Sequence, residues 1–430
     1  MVDKLLKVSF LPCLCLAFAA VNADDLSAVS ANAEEDQLLN EFVKDKLAEI
    51  GINTNLRFYG DINTTFASTH QTLDRENPTA VIEGNVYIAY DNRYGDLGYG
   101  LNIGNKIKSG ELKQGAAIVD TSYLYLQSDK YGKVKFGYTN SAGDEFSLTY
   151  AAVLTGYKGP DSGNLSAFST QTSGTIIGTG FDRDDSKALK VVWLSPKISG
   201  WTFGLSYSPN SRDGHLFMEK RNKLAKDYHP SQNFADQSSY SKHNVSGGIA
   251  YEHGCDKGFY GKVAVAGWWA KGEADHTKVK NVAGYNVGAL LGYKNYKLAF
   301  GFTDNGTSML PEKLEGVENP KVGFLAGADA GKIYNIGIGC TLGKAELSAG
   351  FFHAVRKFSH NERTNTNITT LAAQYNFNKT LSTYIEYNHV RARTCERSFN
   401  TELDPAYGGD GIAFPNNDAN IFMIGAKVNF

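Results

Sequence analysis

Cysteine is too sparse and too scattered to organise this chain. Of five cysteines, Cys13 and Cys15 fall inside an apolar N-terminal run, leaving Cys255, Cys340 and Cys395. An odd, widely spaced set is no disulfide framework. Proline is scarce, at 10 in 430 residues. Past the N-terminal run no stretch reaches about eighteen consecutive apolar residues, which excludes a membrane-spanning helix. No charge of one sign dominates either. The formal net charge is −2, and it becomes −3 once Asp3, Lys4 and Lys7 are removed with a leader, a balance that argues against nucleic acid as a partner. Catalytic signatures are missing too. The nine histidines show no pair at metal-ligand spacing, and there is no Gly-x-Ser-x-Gly elbow or Walker-type phosphate loop. Gly98-Tyr-Gly-Leu-Asn-Ile-Gly104 has the wrong spacing for a dinucleotide fingerprint and sits inside a strand pattern, where its glycines serve packing. No enzyme, metal centre or cofactor is expected.

What the chain does have is glycine (45), tyrosine and phenylalanine (24 each) and a persistent alternation. The N-terminus reads as an export signal over residues 1–23. Lys4 and Lys7 precede the apolar run Val8–Val21, and Val21-Asn22-Ala23 offers small residues for cleavage. Residues 24–53 follow helical spacing (Leu39, Phe42, Val43, Leu47, Ile50), which predicts a short amphipathic helix on the periplasmic side. From Thr54 to the end, residues 54–430, the period is two. Leu56, Phe58, Ile62 and Phe66 alternate with Arg57, Tyr59, Asp61 and Asn63. The same test along the chain predicts sixteen strands, from 54–66 and 81–91 through 132–139 and 187–195 to 380–391 and 418–430.

The connections sort by length. Tight ones such as Lys294-Asn295 and Gly343-Lys344 alternate with long ones such as 67–80, 140–186 and 210–241. An up-and-down meander with one smooth rim and one elaborate rim follows, and a soluble sandwich has no reason to sort its turns that way. The expected fold class is all-β: a sixteen-stranded antiparallel transmembrane β-barrel. The final strand, 418–430, carries apolar residues at every second position from Phe422 and ends on an aromatic residue, as bacterial outer-membrane barrels usually do.

Three hairpins carry a family resemblance. They are Ser128-Asp-Lys-Tyr-Gly-Lys-Val-Lys-Phe-Gly137, Lys190-Val-Val-Trp-Leu-Ser-Pro-Lys-Ile-Ser-Gly-Trp-Thr-Phe-Gly-Leu-Ser-Tyr207, and Ala373-Gln-Tyr-Asn-Phe-Asn-Lys-Thr-Leu-Ser-Thr-Tyr-Ile-Glu-Tyr387. With the terminal Phe430 they resemble the general porins of Gram-negative bacteria, piecemeal in the loops but from about Thr54 to the end. The resemblance implies a homotrimer in outer-membrane lipid, a water-filled pore in each barrel, and a third loop folded inward. It also implies that the closing strand and Phe430 are the signal read by the barrel-assembly machinery. The chain departs from the family pattern at Tyr138, where an arginine is common, and Gly143-Asp-Glu-Phe146 is only an echo of the usual third-loop motif.

Charges are tolerated toward a wet lumen, whereas a lysine or arginine facing mid-bilayer lipid costs roughly 2–4 kcal/mol. Inward positions therefore include the basic residues Arg57, Lys135, Lys190, Lys297 and Lys427, with Glu346 and Glu386. The third loop, residues 140–186, contributes Asp144, Glu145 and Asp161 as candidate constriction acids, expected to face basic residues across the eyelet. The leading expectation is passive diffusion of small hydrophilic solutes and ions. A substrate- or ion-selective channel, or a surface barrel serving as adhesin or receptor, are the alternatives.

Overall fold

The computed structural model describes residues 55–72, 80–108, 118–162, 165–168, 176, 178–181, 187–211, 240–255, 258–273, 278–313, 328–357, 363–393 and 416–430. The expected leader (1–23) and amphipathic helix (24–53) lie outside the described residues.

Sixteen antiparallel strands close into a barrel. The first eight are β1 Leu56–Gln71, β2 Ala80–Tyr94, β3 Leu97–Lys108, β4 Ile118–Ser128, β5 Gly132–Tyr138, β6 Leu189–Leu194, β7 Trp201–Asn210 and β8 Tyr240–Cys255. The rest are β9 Phe259–Glu273, β10 Val282–Tyr293, β11 Tyr296–Asp304, β12 Lys332–Leu342, β13 Ala345–Lys357, β14 Arg363–Asn376, β15 Leu381–Arg393 and β16 Asn417–Asn429. Above the long-loop rim, Lys278–Val279 pairs with Pro311–Lys313 as a separate ribbon.

Each strand pairs with its neighbours in sequence except at the seam. There β1 meets β16 in the register Asp61↔Asn429 through Gln71↔Ala419. Phe430 lies one residue beyond the strand, yet it continues the seam: its N–H donates to Gly60 O at 3.0 Å and its carbonyl accepts from Gly60 N at 2.8 Å. A closed wall leaves no sheet edge, which is the condition for standing in hydrocarbon. The two-residue turn at Gly343 (φ +63°) needs the left-handed backbone that glycine adopts without steric cost.

Several strands outrun their expected limits. The sequence reading ended β1 at residue 66, and it runs to Gln71. The apolar alternation marks only the part of a strand that faces lipid, and hydrogen bonding carries the ladder past it. Ser68 and His70, on the outward side of that extension, are polar.

Alternation sorts the two faces as expected. Leu205, Phe203, Trp201 and Tyr207 are exposed outward, as are Phe422, Ile424 and Val428. Their alternate neighbours Ser206, Ser208, Ile421 and Met423 are buried on the inner side.

Candidate functional site

The segment between β5 and β6 decides what the inner face looks like. It begins with a five-residue helix, α1 (Ala142–Phe146), whose first turn is closed by a capping box. Ser141 Oγ accepts from Asp144 N at 3.2 Å, and Asp144 Oδ2 accepts from Ser141 N at 3.0 Å. Two short 3-10 turns follow, Tyr150–Ala152 and Gly159–Ser162, and then a four-residue helix, Leu165–Phe168.

A chain crossing open space leaves backbone N–H groups unpaired, at a cost of about 1–3 kcal/mol for each one buried without a partner. Here the inner wall answers them strand by strand. Ala142 N donates to Ser206 Oγ on β7 (3.0 Å) and Gly143 N to Ser246 Oγ on β8 (3.1 Å). Leu148 N donates to Asn286 Oδ1 on β10 (3.0 Å) and Tyr150 N to Asn335 Oδ1 on β12 (2.8 Å). Thr155 N reaches Ser348 Oγ on β13 (3.0 Å), and Gly156 N reaches Gln374 Oε1 on β14 (3.2 Å). Lys427 Nζ on β16 donates to Gly156 O, and Thr69 Oγ1 on β1 donates to Phe168 O at 2.8 Å.

The strongest anchor is Glu386 on β15. It is 2% exposed, and its carboxylate accepts from the consecutive N–H groups of Tyr157 (2.7 Å), Lys158 (2.9 Å) and Gly159 (3.0 Å), with Asn388 Nδ2 as a fourth donor at 2.8 Å. Converging backbone donors of this kind form a nest for an anion. Lys158 (φ +69°) and Gly159 (φ +54°) take left-handed conformations to build it.

Apolar packing fills the space between these bonds. Tyr150, Leu154, Tyr157, Leu165 and Phe168 join Ile333, Phe352, Ile368, Tyr384, Val390, Ile421 and Met423 of the wall in one buried cluster. Phe146, Leu148 and Phe181 join Ala264, Ala266 and Trp268 in a second. Inward glycines make room for the segment. A Cβ at Gly288 would stand 2.1 Å from Leu148 O, and one at Gly248 would stand 2.4 Å from Phe146 Cβ.

Each expected site residue can now be placed. Glu145 touches Lys135 directly, Oε1 to Nζ at 2.7 Å, and does not face a cation across a gap. The carboxylate of Asp144 is taken by the cap on Ser141. Asp161 lies in the turn Gly159–Ser162. Arg57 is inward, pairs with Asp91 and is 59% exposed. Lys297 is exposed beside the tight turn Lys294-Asn295. One expectation needs correction. Lys135, Lys190 and Glu386 point inward but do not meet open water; they are 8%, 1% and 2% exposed. The reason is the overlying segment, which covers Glu386 with its own backbone and Lys135 with Glu145. Lys427 is half-buried for the same reason.

The acceptors Ser206, Ser246, Asn286, Asn335 and Ser348 were not singled out from the sequence. Their signal was present as small polar residues on the inner face in the middle of successive strands, interleaved with inward glycines.

Comparison with known proteins agrees with this architecture. The family model for Gram-negative porins matches residues 16–394. A protein of Rickettsia bellii, itself uncharacterized, is 22% identical over 330 residues, 63% of this chain and 70% of its own length. Among solved structures, Salmonella typhi OmpF, determined in complex with daunomycin, is similar with a TM-score of 0.54 at 15% identity, covering 87% of this chain and 97% of that one. The anion-selective porin of Comamonas acidovorans gives 0.53 at 11% identity, covering 87% and 99%. A loop-deleted OmpT, an outer-membrane protein of Vibrio cholerae, gives 0.53 at 13% over the same shares. At these identities the likeness is one of fold.

Proposed function

The chain belongs to the Gram-negative porin family and forms an outer-membrane porin channel, and from that premise we propose that small hydrophilic solutes and ions cross it passively, past a third loop folded into the lumen. The observation that carries this reading is the ladder of wall side chains that accepts the loop backbone from β7 round to β15. A loop held at so many points narrows the lumen at a fixed radius and leaves the remaining sector to water. A sixteen-stranded wall is too wide for its own side chains to fill.

In this reading Glu145 and Lys135 stand together at the narrowing, with Asp144 and Asp161 on the loop. Of the expected basic positions, Arg57 and Lys297 are the exposed ones and set the basic character of the wall. The functional unit is a homotrimer in outer-membrane lipid, and no enzyme activity is assigned to it. The seam-forming Phe430 is the part presented to the barrel-assembly machinery. Deleting Phe430 lowers the yield of folded, heat-modifiable protein more than it lowers conductance per inserted channel; equal losses would count against the assembly role.

The test of the channel itself is planar-bilayer recording with the purified oligomer, together with swelling of liposomes in neutral sugars. Discrete conductance steps and size-graded swelling are expected. A folded oligomer that inserts without conducting would reject the channel and favour a barrel acting through its surface loops.

A further inference from the structure

The chain as a whole carries a formal net charge of −2, yet its short turns are basic. Arg93, Lys130, Lys197, Lys294, Lys344 and Lys379 stand in or beside six different tight turns, and all are exposed. At two of these turns the charge is answered. Arg93 pairs with Asp129 at 3.5 Å, and Lys197 pairs with Glu252 at 3.3 Å.

The consecutive turns β10–β11, β12–β13 and β14–β15 differ. Residues 291–303, 336–345 and 371–385 include Lys294, Lys297, Lys344 and Lys379 and no aspartate or glutamate. Among the described residues Lys294, Lys344 and Lys379 form no ion pair. The next acid, Glu346, is on the inner face and accepts from Thr155 Oγ1 (3.1 Å) and Asn376 Nδ2 (3.0 Å). The C-terminal residue is held at β1 by Gly60. Backbone bonds join the three turns into one ridge: Asn295 O accepts from Thr341 N (2.9 Å) and Lys344 O from Asn376 N (2.8 Å). Hairpins two strand spacings apart set the turns about 10 Å from one another. The Debye length at physiological salt is about 8 Å, so neighbouring charges reinforce each other.

The ammonium groups lie against the outer face. Lys294 Nζ is 5.3 Å from the Tyr293 ring centroid. Lys344 Nζ donates to Phe377 O at 2.9 Å, which leaves two of its N–H groups unspent. The Phe377 ring packs edge-on against Tyr375, with centroids 5.1 Å apart, and both are exposed on the outer face. Beyond these rings the same face continues as exposed Leu291, Leu298, Ile338, Leu347 and Leu371.

We propose that this ridge binds anionic phospholipid of the leaflet that meets the short turns. The phosphodiester is held by Lys294, Lys344 and Lys379, and the acyl chains lie along the outer face of β10 to β15. Uncompensated cations at the end of an apolar face call for an amphiphile with a negative head. A soluble anion or a cell-wall glycan has no chains for that face. A zwitterionic lipid brings its own cation, which offsets the attraction.

The experiment is native mass spectrometry of the purified, delipidated oligomer, titrated with phosphatidylglycerol or with phosphatidylcholine of the same acyl chains. Preferential retention of phosphatidylglycerol is expected. Each single lysine-to-glutamine change lowers that preference by up to about fivefold, and the triple variant Lys294→Gln/Lys344→Gln/Lys379→Gln loses most of it. The control Arg93→Gln/Lys197→Gln, on turns whose cations are already paired, keeps it. If the triple variant gives no heat-modifiable oligomer, Lys344→Gln and Lys379→Gln are read singly. Equal retention of the two lipids overturns the proposal, as does a preference untouched by the lysine changes or lost equally in the control. Binding of isolated cell wall that the triple variant loses, with lipid retention unchanged, overturns it in favour of the wall. Conductance is not the readout, so the outcome is independent of the open-channel reading.

Discussion

The lumen wall has two sectors with the same strand geometry and opposite surfaces. From β7 round to β16 the inner face carries small residues, hydrogen-bond acceptors and buried apolar side chains, many of them committed to the loop. Toward the short-turn ends of β1 to β4 it is tyrosines and charged pairs, partly exposed. The difference teaches that lumen-facing does not mean water-facing in this barrel. The loop converts much of one sector into protein core and leaves the other partly exposed.

Substitutions that tamper with the covered sector are expected to have the largest effects. Gly288→Leu places side-chain atoms where Leu148 O now sits, so the loop must leave the wall. Overpacking of that kind costs roughly 1–3 kcal/mol, and single-channel recording is expected to show enlarged or unsteady conductance. A channel with unaltered conductance and noise would break the contrast between the sectors.

Glu386→Ala follows. It orphans three loop N–H groups, each worth at most about 1–3 kcal/mol and partly rescued by water. The temperature of heat modification is expected to fall, with Glu386→Gln losing less because one acceptor oxygen remains.

The Lys135–Glu145 pair, placed at the narrowing in the proposed reading, reads out charge. Lys135→Gln leaves Glu145 uncompensated and shifts reversal potentials toward cations, while Glu145→Gln shifts them toward anions. The double variant is expected to return close to the parent, since the two groups are in contact. Selectivity unmoved by either single change would place the pair away from the ion path.

The smallest effect belongs to the free sector. Arg57→Ala removes an ion pair whose arginine is 59% exposed, so folding stability changes by about 1 kcal/mol or less. A larger loss in thermal unfolding would mean that this sector too is structural.

Much of this was legible residue by residue. Phe422, Ile424 and Val428 announce an outward face because a strand turns each successive side chain to the opposite side, a rule needing only local backbone. The inward positions of Arg57, Lys135, Lys190 and Lys427 follow from the same rule. What could not be read was their burial. Lys135 and Lys190 alternate just as Arg57 does, yet only Arg57 lies beside open lumen. Nor does the sequence near Glu386 show that it would hold Tyr157, Lys158 and Gly159, which lie more than two hundred residues earlier.

By itself, then, the sequence determined the strand count, the alternation of faces, the sorting of turns from loops and the lipid-facing band, because each depends on neighbours in the chain and on the period of a pleated strand. The tertiary structure decided which inner residues are covered. Closing β1 onto β16 curls the sheet until β7 and β15 both reach the same short segment, and only that closure brings the acceptors and glycines of distant strands to one loop backbone. It also leaves Tyr59 of β1 partly exposed.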